Sequence, residues 1–138
     1  MRIAKEFRWE MGHRLLCHAG QCKNLHGHSY RMQVEVTSDE LLNGMVMDYY
    51  DLKQTVQPFV DELDHCFIIN SKDEKLLEAA EELKTKIVVV NFETTAENLC
   101  RYFIDKILEK GLPKKIQKLK VKIFETSTSY AEEEINLD

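Results

Sequence analysis

No stretch of the sequence approaches the ~20 consecutive apolar residues that a membrane-spanning helix needs, so no membrane partner is expected. The opening residues, MRIAKEFRWEMGH, are charged and lack the apolar core of a secretory signal peptide. That points to the cytoplasm. The 4 cysteines, at positions 17, 22, 66 and 100, include no CxxC pair, and in a reducing compartment they are expected as free thiols. Basic charge is not in excess. The 19 Lys and Arg against 24 Asp and Glu give a net charge of −5, poor material for a nucleic-acid partner. No internal repeat, low-complexity tract or Gly/Ser linker divides the chain. Its 138 residues fit one domain over 1–138, long enough to bury a core without disulfide or metal staples. At 43% hydrophobic and 31% charged, the composition argues against disorder.

What is present is strongly patterned. Residues 2–9 carry a rough strand signal. Residues 28–37 alternate cleanly, with Tyr30, Met32, Val34 and Val36 on one face and Arg31, Gln33 and Glu35 on the other. Asn43-Gly44 marks a turn. Leu52, Val56, Phe59, Val60 and Leu63 have helical spacing over 48–63, and Pro58 is expected to kink that helix or shift its start. DEKLLEAAEELK (73–84) is rich in helix formers, and KIVVVNF (86–92) reads as a short strand. Thr94 with Glu97 predicts a capping box at the start of a helix that Gly111-Leu112-Pro113 stops. KLKVKIFE (118–125) alternates strictly, and YAEEEINLD is expected to close the chain as an edge strand. The order is β-β-α, a helical insert, then β-α-β-β. This is an α+β pattern with an antiparallel sheet.

Chemistry concentrates in CKNLHGHSY (22–30). On a strand His26 and His28 project to one face. They continue the parity of Tyr30, Met32, Val34 and Val36, so both are expected to point inward. His13 lies on an earlier segment that could approach the same spot. Three neutral imidazoles with one position open are the catalytic arrangement for zinc. HxH also occurs by chance, and the ordinary reading is three satisfied histidines. Near such a metal Cys22 would be a base or nucleophile with a lowered pKa, or else a metal ligand itself. His18, in a polar loop, is the competing metal candidate and reads as incidental. Asp64-His65, at a helix end, could be a carboxylate that fixes an imidazole tautomer, or a C-terminal histidine favoured by the helix dipole. Glu125 shares the parity of Leu119, Val121 and Ile123. Aimed into an apolar face, it would need a partner with several N–H donors; the ordinary reading is that the strand ends at Phe124 and leaves Glu125 solvated. Thr95 and Glu97 have a purely structural reading as helix-start residues. Cys100 reads as core packing, and the Lys114, Lys115, Lys118, Lys120 and Lys122 face as solvated.

As an ordered set, FRWEMGH (7–13), CKNLHGHSY (22–30), GMVMDYYDLK (44–53), LDHCFIIN (63–70), TTAENL (94–99) and IFETSTSYAEE (123–133) resemble the 6-pyruvoyl-tetrahydropterin synthase and 6-carboxytetrahydropterin synthase family nearly end to end. The resemblance implies the tunnelling fold, a four-stranded antiparallel sheet with two helices on one face. Subunits of that fold join into barrels, typically hexamers, with sites at subunit interfaces. It implies Zn2+ on His13, His26 and His28, a catalytic Cys22 working with Asp64 and His65, and Glu125 anchoring a pterin ring, with Glu125 also open to a part in the proton relay. Thr95 would line the pterin pocket. The implied substrate is a small molecule, 7,8-dihydroneopterin triphosphate. The implied activity is a lyase reaction giving 6-carboxy-5,6,7,8-tetrahydropterin with loss of triphosphate and acetaldehyde, as in queuosine biosynthesis. The alternatives are 6-pyruvoyltetrahydropterin as product, or a zinc-stabilised pterin-binding module without catalysis. Only Lys23, Asn24 and Leu25 separate Cys22 from the HGH, as is common in the carboxy-forming branch. Met11-Gly12 before His13 and Tyr49 after GMVMD depart from the family's commoner Ala-Ala and Phe, and neither removes a functional group.

Overall fold

The computed structural model of the protein describes residues Met1–Asp138. Two long strands, β1 (Arg2–His13) and β2 (His26–Thr37), form its spine. They pair antiparallel in a continuous register that sets His13 opposite His26 and Gly12 opposite Gly27. The strand β5 (Lys118–Phe124) adds to β2, and β6 (Tyr130–Asn136) closes that side as an edge. On the other side β3 (Cys66–Asn70) runs parallel to β1, meeting it only at Met11 and Gly12, and β4 (Ile87–Val90) runs parallel to β3. The sheet therefore has six strands in the order β4-β3-β1-β2-β5-β6 and is mixed. Four antiparallel strands were expected. Beyond those four stand β4, which matches the strand read from KIVVVNF, and β3, which the alternation pattern does not mark; the insert between them is α2, making a β3–α2–β4 crossover.

Helices α1 (Tyr49–Leu63) and α3 (Ala96–Lys110) cover one face of the sheet. Their apolar stripes, Leu52, Val56, Val60 and Leu63 on α1 and Leu99, Phe103, Ile104 and Ile107 on α3, meet the alternate residues of the strands, and together these make the main core. Each strand supplies every second residue: Phe7, Trp9 and Met11 from β1, Tyr30, Met32, Val34 and Val36 from β2, and Leu119, Val121 and Ile123 from β5. Period-2 strands and period-3.6 helices thus present one apolar face each to a single layer. The third helix, α2 (Glu74–Leu83), serves the opposite face. Leu76 and Ala80 cover Ile69, with Phe67 packed alongside, as a separate small cluster.

Local chemistry sets the ends of these elements. Asp48 and Asp73 cap α1 and α2 by accepting backbone N–H groups from Tyr50 and Leu76. The cap of α3 is Thr95, whose hydroxyl accepts from Asn98 N; it is not Thr94, because Thr94 is buried and engaged elsewhere. The helix α1 runs through Pro58 without a break. Pro58 lies on the exposed side, where solvent can satisfy the carbonyl it frees. Asn43 and Gly44 both take positive φ in the turn joining Leu42 to Met45. The lysine face is neutralised across the β5–β6 pair: Lys118 bridges Glu134, Lys120 bridges Glu132, and Lys122 lies 3.9 Å over the Tyr130 ring.

Candidate active site

The register of β1 and β2 places His13, His26 and His28 at one end of the covered face. Their rings stand edge to face, with centroids 4.7 Å (His13–His26), 4.8 Å (His26–His28) and 5.3 Å (His13–His28) apart. The chain reverses at the end of β5, and Glu125 brings a carboxylate to the same point. One ligand atom from each of these four residues lies within 4.8 Å of every other. Cys22 is not among these converging groups.

The outer nitrogens of two imidazoles are tied to backbone. His13 Nδ1 donates to the Thr94 carbonyl at 2.8 Å, with the Thr94 hydroxyl at 3.1 Å, and His26 Nδ1 donates to the Asn24 carbonyl at 2.6 Å. Each bond fixes a tautomer with its Nε2 lone pair turned toward the cluster, the second-shell pattern that metal-ligating histidines adopt. His13 Nε2 and His28 Nε2 are buried and have no hydrogen-bond partner. Glu125 Oε1 lies 2.8 Å from His28 Nε2 and 3.8 Å from His13 Nε2, but the short contact lacks hydrogen-bond geometry. Orphaned buried acceptors are costly, and neutral imidazole nitrogens with a carboxylate suit a borderline divalent cation such as zinc. The residues present fit that ion.

Burial favours the neutral form of the His13 and His28 imidazoles. Burial lowers the His13 pKa to about 4, against the opposing Thr94 hydrogen bond, and burial also lowers that of His28, against the pull of Glu125. At neutral pH the metal-binding form is thus already the folded one. The pH dependence of stability follows from His13. Its folded pKa lies below its unfolded value, so the unfolded chain gains protons first as the pH falls. Metal-free protein is expected to keep its full His13 contribution above pH ~6.5 and to lose on the order of 3 kcal/mol by pH ~4. Urea midpoints across that window, read beside a His13→Gln variant whose curve should be flatter, check this.

Beneath the cluster sits Tyr30. Its ring centroid is 5.5 Å from that of His28 and stacks on Trp9 at 5.1 Å. The hydroxyl is buried without a partner, and burial together with Glu125 holds the phenol well above its ordinary pKa. Sequence parity placed Tyr30 on this face but gave no sign of its closeness to the cluster. Thr94 was missed for a different reason: its bond to His13 spans 81 residues, and no local pattern encodes it.

Asp64 and His65 form the expected pair. The Asp64 carboxylate accepts from Glu10 N and contacts His65 Nδ1, each at 2.9 Å. The Glu10 amide, and then the His65 imidazole, hold its pKa below the usual carboxylate range. His65 takes a left-handed backbone (φ 59°) and donates its own N–H to the Glu10 carbonyl. It lines an open cavity of about 560 Å3 with Gly12, His26, Gly27, His28, Ser29 and Phe67. The pair is held against the Glu10 backbone of β1, and His65 is not among the side chains whose ligand atoms converge with His13 and Glu125. At Gly12 any Cβ would collide with the Phe67 ring, which explains the glycine where Ala-Ala is commoner.

Cys22 lies half-buried in a 3-10 turn, Gln21–Lys23, and its carbonyl accepts from Leu15 N at 2.9 Å. Thr95, at the start of α3, is half-buried. His18 is exposed and accepts from Gly20 N, consistent with an incidental role. Cys66 and Cys100 are buried, and burial pushes both thiols up to about 11.

The profile of a family described as 6-pyruvoyl tetrahydropterin synthase matches residues 2–136. A curated relative from Aquifex aeolicus, named 6-carboxy-5,6,7,8-tetrahydropterin synthase, is 38% identical over 94% of this chain and 95% of its own length. One from Haemophilus influenzae with the same name is 34% identical over 95% and 96%. Among solved structures, the 6-pyruvoyl tetrahydropterin synthase of Plasmodium falciparum superimposes with a TM-score of 0.79 at 16% identity, covering 99% of this chain and 98% of that one. At that identity the likeness concerns the fold.

Proposed function

The chain belongs to the 6-pyruvoyl tetrahydropterin synthase family, and from that premise we propose that it is a zinc-dependent lyase of queuosine biosynthesis. It converts 7,8-dihydroneopterin triphosphate and one water to 6-carboxy-5,6,7,8-tetrahydropterin, with loss of triphosphate and acetaldehyde. The observation that carries this reading is the convergence of His13, His26 and His28, two with buried, orphaned Nε2 atoms, beside an inward carboxylate. The names of the relatives and the three-residue spacing between Cys22 and His26 favour the carboxy-forming branch.

Held by His13, His26 and His28, zinc would supply Lewis acidity toward the substrate's side-chain hydroxyl oxygens. Glu125 binds the guanidine-like N–H groups of the pterin, Thr95 lines the same pocket, and together they orient the side chain. Cys22 as thiolate removes a carbon-bound proton. His65, its Nδ1 fixed by Asp64, returns or relays protons through Nε2, and Glu125 can join that relay. Within one chain His65 is not among the groups that converge with the three imidazoles, so this reading takes the Asp64-His65 pair from a neighbouring copy. The edges of the sheet suit such an assembly. Strand β1 is paired by β3 only at Met11 and Gly12, and β6 has no outer partner. Two open edges on opposite sides of one sheet favour head-to-tail closure into a ring, and two rings stacked give the favoured hexamer. No helix is long and apolar enough to cross a membrane, and the proposed site of action is the cytoplasm.

The test is incubation of zinc-loaded protein with 7,8-dihydroneopterin triphosphate, with mass spectrometry of products and an assay for acetaldehyde. Carboxytetrahydropterin with acetaldehyde is the expected result. Pyruvoyltetrahydropterin without acetaldehyde would move the chain to the other branch. Tight pterin binding without turnover would leave a binding module.

A further inference from the structure

Residues 14–25 link two zinc-site strands and carry Cys22, yet none of them is buried. A segment with no core residue takes its order from polar tethers, and two side chains outside it supply them. Asp73, itself 3% exposed, accepts from Arg14 Nε at 2.6 Å and from an Arg14 terminal nitrogen at 2.5 Å. Glu93 spans the turn of the loop: Oε1 accepts from Leu16 N at 3.2 Å, and Oε2 accepts from Cys17 N at 3.2 Å. Asn70 Nδ2 donates to Glu93 Oε1 at 3.1 Å, and Asn98 Nδ2 donates to the Glu93 carbonyl at 2.9 Å. The anchor is therefore held from both β3 and α3.

We propose that Glu93 is a positioning residue for Cys22: its carboxylate grips the Leu16 and Cys17 amides and so fixes the cysteine-bearing loop against the metal site. The inference rests on the reading that Cys22 is the base. The grip reaches Cys22 through the Leu15 N to Cys22 carbonyl bond, which ties the near and far ends of the loop together. A carboxylate taking two backbone N–H groups makes charge-assisted hydrogen bonds, stronger than neutral ones. The neighbouring residues divide the work. Thr94 holds the His13 imidazole, and Thr95 caps α3. Changing Glu93 therefore removes neither a metal ligand nor its direct partner, and its charge effect on His13 is read out by the zinc content. No local pattern marks it, because Glu93 reads as an ordinary polar residue ahead of a helix.

The experiment uses full-length, zinc-loaded protein carrying Cys17→Ser, so that the exposed Cys17 thiol does not compete for label. Glu93→Ala and Glu93→Gln are compared with this parent. Four quantities are read: zinc content, kcat and KM separately, hydrogen exchange of the 14–24 segment, and the rate of Cys22 alkylation by iodoacetamide against pH. For Glu93→Ala the expected result is unchanged zinc, faster exchange, an altered Cys22 alkylation profile, and kcat lower by roughly tenfold or more with KM nearly constant, as misplacing a reacting group produces. Glu93→Gln keeps one carbonyl acceptor and is expected to fall between; it also carries the test if the alanine variant does not fold. An unchanged kcat despite faster exchange would overturn the proposal. So would zinc lost in step with kcat, which would trace the effect to the His13 side. If the parent itself shows no turnover, the parent reading fails. The alkylation profile then decides alone, and an unaltered one overturns the clamp.

Discussion

A His28→Ala protein is expected to purify folded but without stoichiometric zinc, and to lose turnover by a factor above ~10³, since even outer-shell partners of a metal typically cost roughly 10–100-fold when removed. His28 is central among the three imidazoles for a stated reason. Its Nε2 is buried and orphaned, and it is the ligand atom lying nearest Glu125. Deleting the ring leaves two imidazoles and a carboxylate whose short contact has gone. The fold should tolerate the change. His28 is only half-buried, and the β1–β2 ladder that carries it is held by backbone bonds on both sides and by the core from Tyr30 onward. Elemental analysis after gel filtration, with chelator competition for affinity, gives the answer directly. Full zinc occupancy in this variant would remove His28 from the ligand set, whatever the activity.

Cys22→Ala is expected to give the complementary phenotype: full zinc, an unchanged melting temperature, and turnover lower by about 10²–10⁴, the range that a positioned general base contributes. Stability should move by no more than about 0.5 kcal/mol, because the side chain belongs to no core cluster and lies in a surface loop. Zinc content separates the two roles open to this thiol. A ligating cysteine would take metal with it when removed, whereas Glu125 is the group that joins the three imidazoles here. Single-turnover measurement of triphosphate release guards against a slow product step hiding the loss. Undiminished activity would remove Cys22 from the chemistry.

These two sites differ in how far the sequence exposes them. The alternation from His26 to Val36 places both imidazoles and the core residues of β2 on one face, and the structure keeps that parity without a bulge. The helix of 96–110 and the final edge strand are equally legible from spacing. Strand β3 is not. CFII is short and apolar throughout, because Cys66 and Ile68 enter the main core while Phe67 and Ile69 face α2; a strand buried on both faces shows no alternation. The α3 cap shifts by one residue from Thr94 to Thr95 because Thr94 answers to His13 across the fold, and a capping pattern cannot tell two adjacent threonines apart. The placement of Asp64-His65 against the Glu10 backbone depends on β3 entering parallel beside Met11, a tertiary pairing that no local period records. Glu125 was read from parity as inward, and it does turn inward, although β5 ends one residue before it.

The small cluster of Ile69, Leu76 and Ala80 has a kinetic consequence. Proteins open in cooperative pieces, and a piece with few buried contacts opens well before the whole. The β3–α2–β4 crossover rests on three buried apolar residues on its outer side, against twenty-four in the main core. Its α2 end is therefore expected to unfold well before the main core under native conditions. Asp73, which holds Arg14, and Asn70, which braces Glu93, both sit at the root of that helix. A transient opening of α2 is thus expected to free the Arg14 tether of the cysteine loop while the histidine strands stay folded. The working lifetime of the site is then set by the weakest cooperative unit of the chain, and mild heating should silence it before the global melt.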